Sequence, residues 1–568
     1  MEKIEEKGRL LYGMGFSVIP VVAFYLMEAY EHNPFAEVRS QAQLFNILLF
    51  ELIAWGLYLL IGRMQTALRI ELALALAFGI TNHYVMAFRS TPFVPWDIFS
   101  IRTAASVVGN YHFTVSLRVV LVTLGFAALL IIVGYFKKAP KISVAPRLGC
   151  AGIVILVLCL FVNTVQKEEF QTKHYLYPFL FTPGYMTKVN GMALTFAMNL
   201  QYVVVDKPEG YRAAEAEEIL ESYETEPWKQ TEKLPNIIVI MDEAFSDLSV
   251  LGELQTNAEV MPFMDSMKKE KNTITGFAQV SVCGGNTANS EFEFLTGNTM
   301  AFLPQGSIPY QQYIKDETPS LASWLKELGY ETYAQHPYQA AGWNREKVYP
   351  LLGFEHIDFL PDYRVNAQDC VRGYVSDEAD MQHIIDTYEN RETEKPAFIF
   401  NVTMQNHGGY QDTYADFTND IHAQQNNDAL DQYLSLVHRT DQALKQLIEY
   451  FEKEDEKTVV VFFGDHQPSD AVASVVEKTA EADVTKRYQV PYLIWANYAI
   501  EGAGSCNTSL NYLAAQALRA AGVPTDAYRN YLLELSETYP VLSAAGETKA
   551  DEKQLLTYRK LQYYNLFE

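Results

Sequence analysis

The sequence predicts a chain of two structural classes: a bundle of membrane-spanning helices, followed by an α/β domain with a mostly parallel central sheet. The first observation is five long apolar runs within the first third of the 568 residues. The second is an alternation of short apolar strands with helical segments from about residue 235 to residue 538. Such alternation is typical of strand–helix–strand units, which build parallel sheets.

Each apolar run is close to the length of about 20 residues that an α-helix needs to cross a bilayer. A buried core helix would explain one such run, but not five in succession. The runs also continue beyond the first, which argues against a cleaved signal peptide followed by a soluble domain. The predicted spans are residues 10–27, 44–62, 70–88, 115–136 and 148–165.

The basic residues of the loops predict the orientation of these spans. Lys and Arg concentrate in segments 1–9, 63–69 and 137–147, which the spans place on one side. Loops rich in Lys and Arg remain in the cytoplasm. We therefore expect a cytoplasmic N-terminus and an extracellular location for everything after about residue 167.

The pattern divides the chain into four parts. Residues 1–166 form the five-span domain, and residues 167–234 form a helical connector next to the membrane. Residues 235–538 form the α/β domain, and residues 539–568 a C-terminal tail. The α/β domain has candidate strands at 237–241, 332–335, 397–404, 459–463 and 492–495, and candidate helices at 261–269, 320–328, 429–453 and 509–521.

The composition narrows the range of partners. A formal net charge of −25 argues against a nucleic-acid partner. It also means that an anionic lipid substrate must be captured by a local cationic or metal site. The 5 cysteines are odd in number and widely spaced, so we expect no essential disulfide framework.

Two predicted strands end in residues that bind cations. Residues 236–241 run into Asp242 and Glu243, and residues 458–463 run into Gly464, Asp465 and His466. Ligands of parallel sheets lie beyond the carboxyl ends of the strands. Adjacent strand residues face opposite ways, so we expect only one of the two acids to face a cation. A turn with a satisfied histidine is the alternative for the second segment.

A glycine turn lies between these strands in the sequence. Gly284 and Gly285 permit an unusual backbone, and Thr287 follows just before a predicted helix. Backbone N–H groups at a helix N-terminus favour anions, so a hydroxyl there is well placed to attack a phosphate. Taken alone, residues 286–290 are better explained as a helix cap.

Three further residues suit phosphate binding. His336 and His407 each follow a predicted strand, and Arg345 offers a guanidinium that binds phosphate oxygens in pairs. Each one alone has a structural explanation. Their common position after strands of one α/β domain favours a functional site.

With these motifs the chain resembles the lipoteichoic acid synthase type of polyglycerol-phosphate transferase, a branch of the sulfatase and alkaline-phosphatase superfamily. The resemblance covers nearly the whole chain, including the five-span start and the outer loop at 91–97. Its most specific segments are 236–245, 284–291, 343–345, 406–407 and 464–466. It implies a sulfatase-like fold for the α/β domain.

The resemblance also implies the roles of single residues. One divalent metal ion, manganese or magnesium, would be held by four residues, of which Thr287 would also be the nucleophile. The substrate would lie among four others. The implied metal ligands are Glu243, Thr287, Asp465 and His466, and the implied substrate-binding residues are His336, Trp343, Arg345 and His407.

The implied function is a membrane-anchored glycerophosphotransferase in a Gram-positive type of envelope. It would move glycerol phosphate from phosphatidylglycerol to a lipoteichoic-acid-type or other envelope acceptor, such as a glycolipid or polyglycerol phosphate. The reaction would pass through a covalent phospho-threonine. The alternatives are a phosphoethanolamine transferase or phosphodiesterase of the same superfamily, or an inactive membrane protein that binds lipid or polymer.

Overall fold

The protein is described by a computed structural model with two compact units, Met1–Val205 and Asp206–Glu568. We call them the N-terminal and the C-terminal unit. The boundary lies within the connector predicted at 167–234. The predicted cytoplasmic loop at 137–141 and the first six residues of the first predicted span lie outside the described residues. The structure describes residues 16–89, 92–98, 115–136, 143–177, 183–203, 205–224, 233–304, 307–392, 394–476, 484–502, 504–544 and 551–568.

The described part of the N-terminal unit contains 4 helices that are long and apolar enough to cross a membrane. A shorter apolar helix, Phe16–Glu28, covers the second half of the first predicted span. Side chains such as Ile131 and Ile153 are more than 60% exposed, as expected of surfaces that face lipid. The prediction of an apolar helical region is therefore confirmed by Ser40–Ile61, Met64–Ala87, Leu117–Gly134 and Val144–Val165.

Short helices after the last long helix also belong to the N-terminal unit. Gly191 has a φ of 84° and starts the helix Met192–Asn199. The first N–H groups of a helix have no partner within it. Here the backbone N–H of Met192 donates to Glu28 Oε1 at 2.6 Å, and that of Leu194 donates to Asn46 Oδ1 at 3.0 Å. The remaining helices of this unit are Pro34–Glu37, Glu168–Lys173 and Pro183–Asn190.

The C-terminal unit is built on a 9-stranded sheet. Its strands are β1 (Asn236–Asp242), β2 (Thr273–Gln279), β3 (Glu331–His336), β4 (His356–Phe359), β7 (Ala397–Val402), β8 (Thr458–Gly464), β9 (Gln489–Ala496), β10 (Gly504–Ser505) and β11 (Thr508–Ser509), while β5 (Cys370–Val371) and β6 (Tyr374–Val375) form a separate pair. The order in the large sheet is β10-β2-β9-β8-β1-β7-β3-β4, and β11 also pairs with β2. Strands β8, β1, β7, β3 and β4 are parallel, whereas β9 is antiparallel to both β8 and β2. The prediction of a mostly parallel sheet is confirmed.

Helices cover both faces of the sheet because its central strands are apolar on both sides. Ile238 and Ile240 of β1 pack in a buried cluster with residues of helices 377–390 and 428–451. Their neighbour Val239 faces the other side, where it shares a small cavity with Phe294. The helices of this unit are Ala213–Glu221, Pro262–Met267, Thr287–Thr296, Pro309–Gln312, Leu321–Glu327, Arg345–Leu351, Asp377–Asn390, Asp428–Phe451, Asp470–Val476, Leu510–Ala521, Ala527–Thr538 and Glu552–Phe567.

Strands β2, β4, β10 and β11 were not predicted. Strand β2 contains Gly276, which sequence patterns associate with a break rather than a strand. A Cβ at Gly276 would lie 1.8 Å from the carbonyl oxygen of Cys506. The glycine therefore permits a second backbone segment to lie close against the strand.

Candidate active site

The two acid-bearing strand ends are neighbours in the sheet. Asp242 is paired with Gly464 in the register of β1 and β8, so Glu243 and Asp465 follow side by side. The N–H of Asp465 donates to the carbonyl oxygen of Asp242 at 3.1 Å. A Cβ at Gly464 would lie 1.9 Å from the carbonyl oxygen of Phe245, so only glycine permits this approach.

Three buried side chains form a cluster at this edge. Ligand atoms of Glu243, Asp465 and His466 all lie within 4.8 Å of one another. His466 Nε2 is 3.2 Å from Asp465 Oδ2 and 3.8 Å from Glu243 Oε1. Oxygen and imidazole nitrogen ligands at such spacing suit a divalent cation.

Within the part of the chain that the structure describes, two atoms of the cluster have no hydrogen-bond partner and are available to a cation between the three side chains. Asp465 Oδ1 accepts from the N–H of Ala244 at 2.7 Å. His466 Nδ1 donates to the carbonyl oxygen of Gln467 at 2.9 Å, so its Nε2 carries a lone pair. Among the described residues, Asp465 Oδ2 and His466 Nε2 are buried without a hydrogen-bond partner. A cation would satisfy both, so the residues present fit a metal site.

The electrostatics of Glu243 agree with this interpretation. Burial and the adjacent charge of Asp465 raise the pKa of the Glu243 carboxyl above its usual range. The positive charge of Arg345 and the hydrogen bond from Thr287 oppose that rise. A bound cation would favour the ionised carboxylate in the same way.

Thr287 joins this cluster. Gly284, Gly285 and Asn286 have φ values of 68°, 144° and 67°, and this left-handed turn leads into the helix Thr287–Thr296. The N–H of Gly284 donates to the carbonyl oxygen of Gln467 at 2.9 Å, which ties the turn to the segment after β8. As a result Thr287 Oγ1 donates to Glu243 Oε2 at 3.4 Å.

A second buried cluster joins two of the predicted substrate-binding residues. Arg345 donates to Glu291 Oε1 from Nε at 2.9 Å and from Nη2 at 2.5 Å. Its Nη1 donates to His336 Nε2 at 3.0 Å, so His336 Nδ1 must donate to the carbonyl oxygen of Val402 at 2.8 Å. Tyr349 donates to the other oxygen of Glu291 at 2.8 Å. Three of the five N–H groups of Arg345 are thus engaged within this cluster.

The other two predicted substrate residues are less buried than this cluster. His407 is exposed, and its Nδ1 lies 3.1 Å from the hydroxyl of Tyr374. Trp343 is half-buried, with a φ of 54°, on the turn that precedes Arg345. Of the eight predicted residues, the four implied metal ligands lie together in what we call the metal-type cluster. Arg345 and His336 lie in the second buried cluster, and His407 and Trp343 are less buried.

Three residues outside the predicted set hold this site in place. Glu291 orients Arg345. Thr403 Oγ1 accepts from the N–H of Glu243 at 3.1 Å and donates to Asp242 Oδ2 at 3.1 Å. Asn406 donates to Asp242 Oδ1 at 2.9 Å. Asp242 thus faces away from the cluster. In the sequence, Glu291, Thr403 and Asn406 could be found only because they lie in or beside segments that carry the predicted motifs.

Comparison with known proteins shows which of them the chain resembles. A family model described as Sulfatase matches residues 235–523, more than half of the chain. The putative cyclic beta-1,2-glucan modification protein of Rhizobium meliloti (strain 1021) is 29% identical over 520 residues, 88% of this chain and 80% of that protein. Lipoteichoic acid synthase of Staphylococcus aureus (strain USA300) is 25% identical over 238 residues, 41% of this chain and 36% of its own length.

A solved structure supports the same fold. The Streptococcus pyogenes phosphoglycerol transferase GacH, in complex with sn-glycerol-1-phosphate, aligns with a TM-score of 0.52 at 21% identity. The alignment covers 63% of this chain and 94% of that one. The resemblance predicted from the motifs is confirmed, and the family model includes every residue of the metal-type cluster. The chain belongs to the Sulfatase family.

Proposed function

We propose that the protein is a membrane-anchored glycerophosphotransferase that moves glycerol phosphate from phosphatidylglycerol to a hydroxyl of a cell-envelope acceptor. One observation carries the proposal. The hydroxyl of Thr287 lies at a helix N-terminus and 3.4 Å from Glu243, in a buried cluster suited to a divalent cation. This is the arrangement that a hydroxyl nucleophile for phosphoryl transfer needs.

Relatives support both the reaction class and the type of acceptor. One is a lipoteichoic acid synthase, and another is named as a putative cyclic beta-1,2-glucan modification protein. The helices of the N-terminal unit would hold the enzyme in the membrane that contains its lipid donor, which raises the local donor concentration. We infer that the C-terminal unit lies outside the cell, as the loop charges predict.

The reaction proceeds in two displacements. Thr287 Oγ1 attacks the phosphorus of phosphatidylglycerol, diacylglycerol leaves as an alcohol, and the threonine carries glycerol phosphate. An acceptor hydroxyl then attacks the same phosphorus, and Thr287 regains its proton as the new phosphodiester forms. One phosphodiester replaces another in each step, so no nucleotide is needed.

The surrounding residues take separate roles. Glu243 accepts a hydrogen bond from Thr287 and orients its hydroxyl toward the substrate. Arg345, His407 and Trp343 bind the phosphate and its glycerol, and His336 positions Arg345 by accepting its hydrogen bond. A divalent metal ion, manganese or magnesium, held by Glu243, Thr287, Asp465 and His466 would lower the pKa of the hydroxyl and stabilise negative charge on the phosphate oxygens.

Diacylglycerol release from phosphatidylglycerol tests the proposal. The full-length protein in nanodiscs should release diacylglycerol, and Thr287→Ala should slow release at least about 1,000-fold because the nucleophile is lost. Thr287→Ser keeps a hydroxyl and should retain measurable activity. Unchanged thermal unfolding of Thr287→Ala would show that the fold is intact.

Two results would contradict the proposal. Near-normal release by Thr287→Ala would exclude this residue as the nucleophile. Release from phosphatidylethanolamine but not from phosphatidylglycerol would instead establish a phosphoethanolamine transferase.

A further inference from the structure

A short hairpin lies beside His407, the most exposed of the residues that the proposed function places on the phosphate. Strands β5 and β6 pair antiparallel and are joined by Arg372 and Gly373, with φ values of 57° and 82°. Two left-handed residues in succession give a tight turn that matches the twist of a hairpin. We call residues 370–375 the hairpin. Two of its side chains, those of Arg372 and Tyr374, contact the segment that carries His407.

The first side chain, Arg372, holds the main chain at His407. It is 4% exposed, and its Nη2 donates to the carbonyl oxygens of His407 at 3.0 Å and of Gly408 at 2.7 Å. Gly409 has a φ of 94°, and a Cβ there would lie 3.3 Å from the same nitrogen. The hairpin therefore fixes the backbone from which the imidazole of His407 projects.

Arg372 is itself held from two sides. Its backbone N–H donates to Asp416 Oδ2 at 2.9 Å. Its guanidinium lies over the rings of Tyr410 and Tyr414, whose centroids are 5.2 and 4.9 Å away. In the described segments, Nε and Nη1 of Arg372 have no hydrogen-bond partner, so contacts with these two rings help to hold the buried charge. The guanidinium is thus fixed by groups other than His407.

The second side chain, Tyr374, holds the imidazole ring of His407. Its hydroxyl lies 3.1 Å from His407 Nδ1, and the two ring centroids are 5.4 Å apart. Burial raises the pKa of Tyr374 to about 12, so the hydroxyl keeps its proton at neutral pH and can donate a hydrogen bond. A neutral imidazole whose Nδ1 accepts carries its N–H on Nε2. Phosphate oxygens are acceptors, so a phosphate-binding histidine needs this N–H.

We propose that Tyr374 and Arg372 are positioning residues for His407, which they hold with its Nε2–H available to an oxygen of the donor phosphate. This inference rests on the proposed function, which assigns His407 to that phosphate. Tyr374 sets the tautomer and the orientation of the ring, and Arg372 sets its backbone. An exposed histidine without these contacts would lose rotamer freedom when the substrate binds. The hairpin removes that freedom in the folded protein, before the substrate arrives.

The first test measures diacylglycerol release by the full-length protein in phosphatidylglycerol nanodiscs. Tyr374→Phe removes only the hydroxyl and should lower kcat/KM about tenfold, because the hydrogen bond that orients His407 is lost. Tyr450→Phe is the matched control, since Tyr450 is also half-buried and its hydroxyl donates to Glu389 at 3.0 Å. The control should stay within about twofold of the original protein.

A double-mutant cycle separates positioning from a general structural effect. His407→Ala should also lower kcat/KM, and in that background Tyr374→Phe should change it less than about twofold, because no ring remains to be oriented. Arg372→Met should lower kcat/KM only when His407 is present, and Arg372→Lys, which keeps a donor, should recover part of the loss. Arg439→Met is the control, since the Arg439 guanidinium also lies over a ring, that of Phe417 at 4.3 Å.

Each other outcome overturns a defined part. Normal release by Tyr374→Phe, no effect of His407→Ala, or equal effects of Tyr374→Phe with and without His407 overturns the positioning role. Absence of diacylglycerol release from the original protein overturns the proposed function itself. In that case calorimetry with inorganic phosphate in the presence of magnesium decides the inference. Weaker binding to Tyr374→Phe only when His407 is present supports it, and equal binding to all variants, or none to the original protein, excludes it.

Discussion

Glu291 holds Arg345 by two hydrogen bonds, at 2.9 Å from Nε and 2.5 Å from Nη2, and both side chains are buried. Glu291 follows Thr287 by four residues in the same helix, so both project from one helix face. The guanidinium that we assign to the phosphate is therefore positioned by the helix that carries the proposed nucleophile. In the proposed reaction this relationship links substrate binding to the orientation of Thr287.

The first prediction concerns this pair. Glu291→Gln should lower the free energy of unfolding by roughly 3 kcal/mol, because it leaves a buried guanidinium without its counter-charge. The rate of diacylglycerol release should fall by more than the loss of folded protein accounts for. Glu346→Gln is the control, since Glu346 is exposed and adjacent to Arg345. Thermal unfolding and release assays on both variants measure the effect, and equal behaviour of the two would contradict the assigned role.

The second prediction concerns the metal. The protein should bind one divalent ion per chain, and His466→Ala should weaken binding at least about tenfold because a ligand is lost. His422→Ala should bind normally, since that side chain is exposed and pairs with Asp431 instead. Calorimetric titration with manganese and metal analysis give the stoichiometry without an activity assay. Two equivalents per chain, or full affinity in His466→Ala, would show that the assignment is wrong.

The third prediction concerns pH. Burial, and next the charge of Arg345, hold the pKa of His336 well below its usual value, and His407 adds to this. The folded state therefore keeps His336 neutral, while the unfolded chain binds a proton near pH 6.5. The contribution of His336 to stability is complete above about pH 6.5 and is lost by up to about 1.4 kcal/mol per pH unit below it.

His336→Gln should reduce this acid sensitivity. Glutamine can donate to the carbonyl oxygen of Val402 and accept from Arg345 without titrating. Thermal unfolding of both proteins between about pH 5 and pH 7.5 measures the difference, with the half-exposed His356→Gln as control. Parallel profiles for His336→Gln and the original protein would refute the prediction.

The fourth prediction concerns topology. The loop charges predict that the C-terminal unit lies outside the cell, and Cys506 is exposed on that unit. A maleimide that cannot cross membranes should therefore label intact protoplasts, and the signal should disappear in Cys506→Ser. Mass spectrometry of the labelled peptide identifies the site. Labelling of Cys506 only after lysis would show that the unit lies in the cytoplasm and would contradict the proposed extracellular location.

Much of the fold follows from local pattern. The apolar runs of the N-terminal unit predict its long helices, because the length of a helix that crosses a bilayer depends only on composition and rise per residue. The five predicted strands of the C-terminal unit all lie within observed strands or begin with them. Strand β2 was not predicted because it contains Gly276. The close approach that requires glycine at this position is made by Cys506, which lies 230 residues away in the chain.

The candidate site, like the fold, could be predicted from the sequence only in part. By itself the sequence determined the residue types that end β1 and β8, and the glycine turn before Thr287. Only the tertiary structure decided that β1 and β8 are neighbours, that Asp242 bonds Thr403 and Asn406, and that Glu291 holds Arg345. The physical reason is that side-chain direction at a strand end, and the partner of a buried charge, depend on contacts between segments distant in sequence, which local periodicity does not encode.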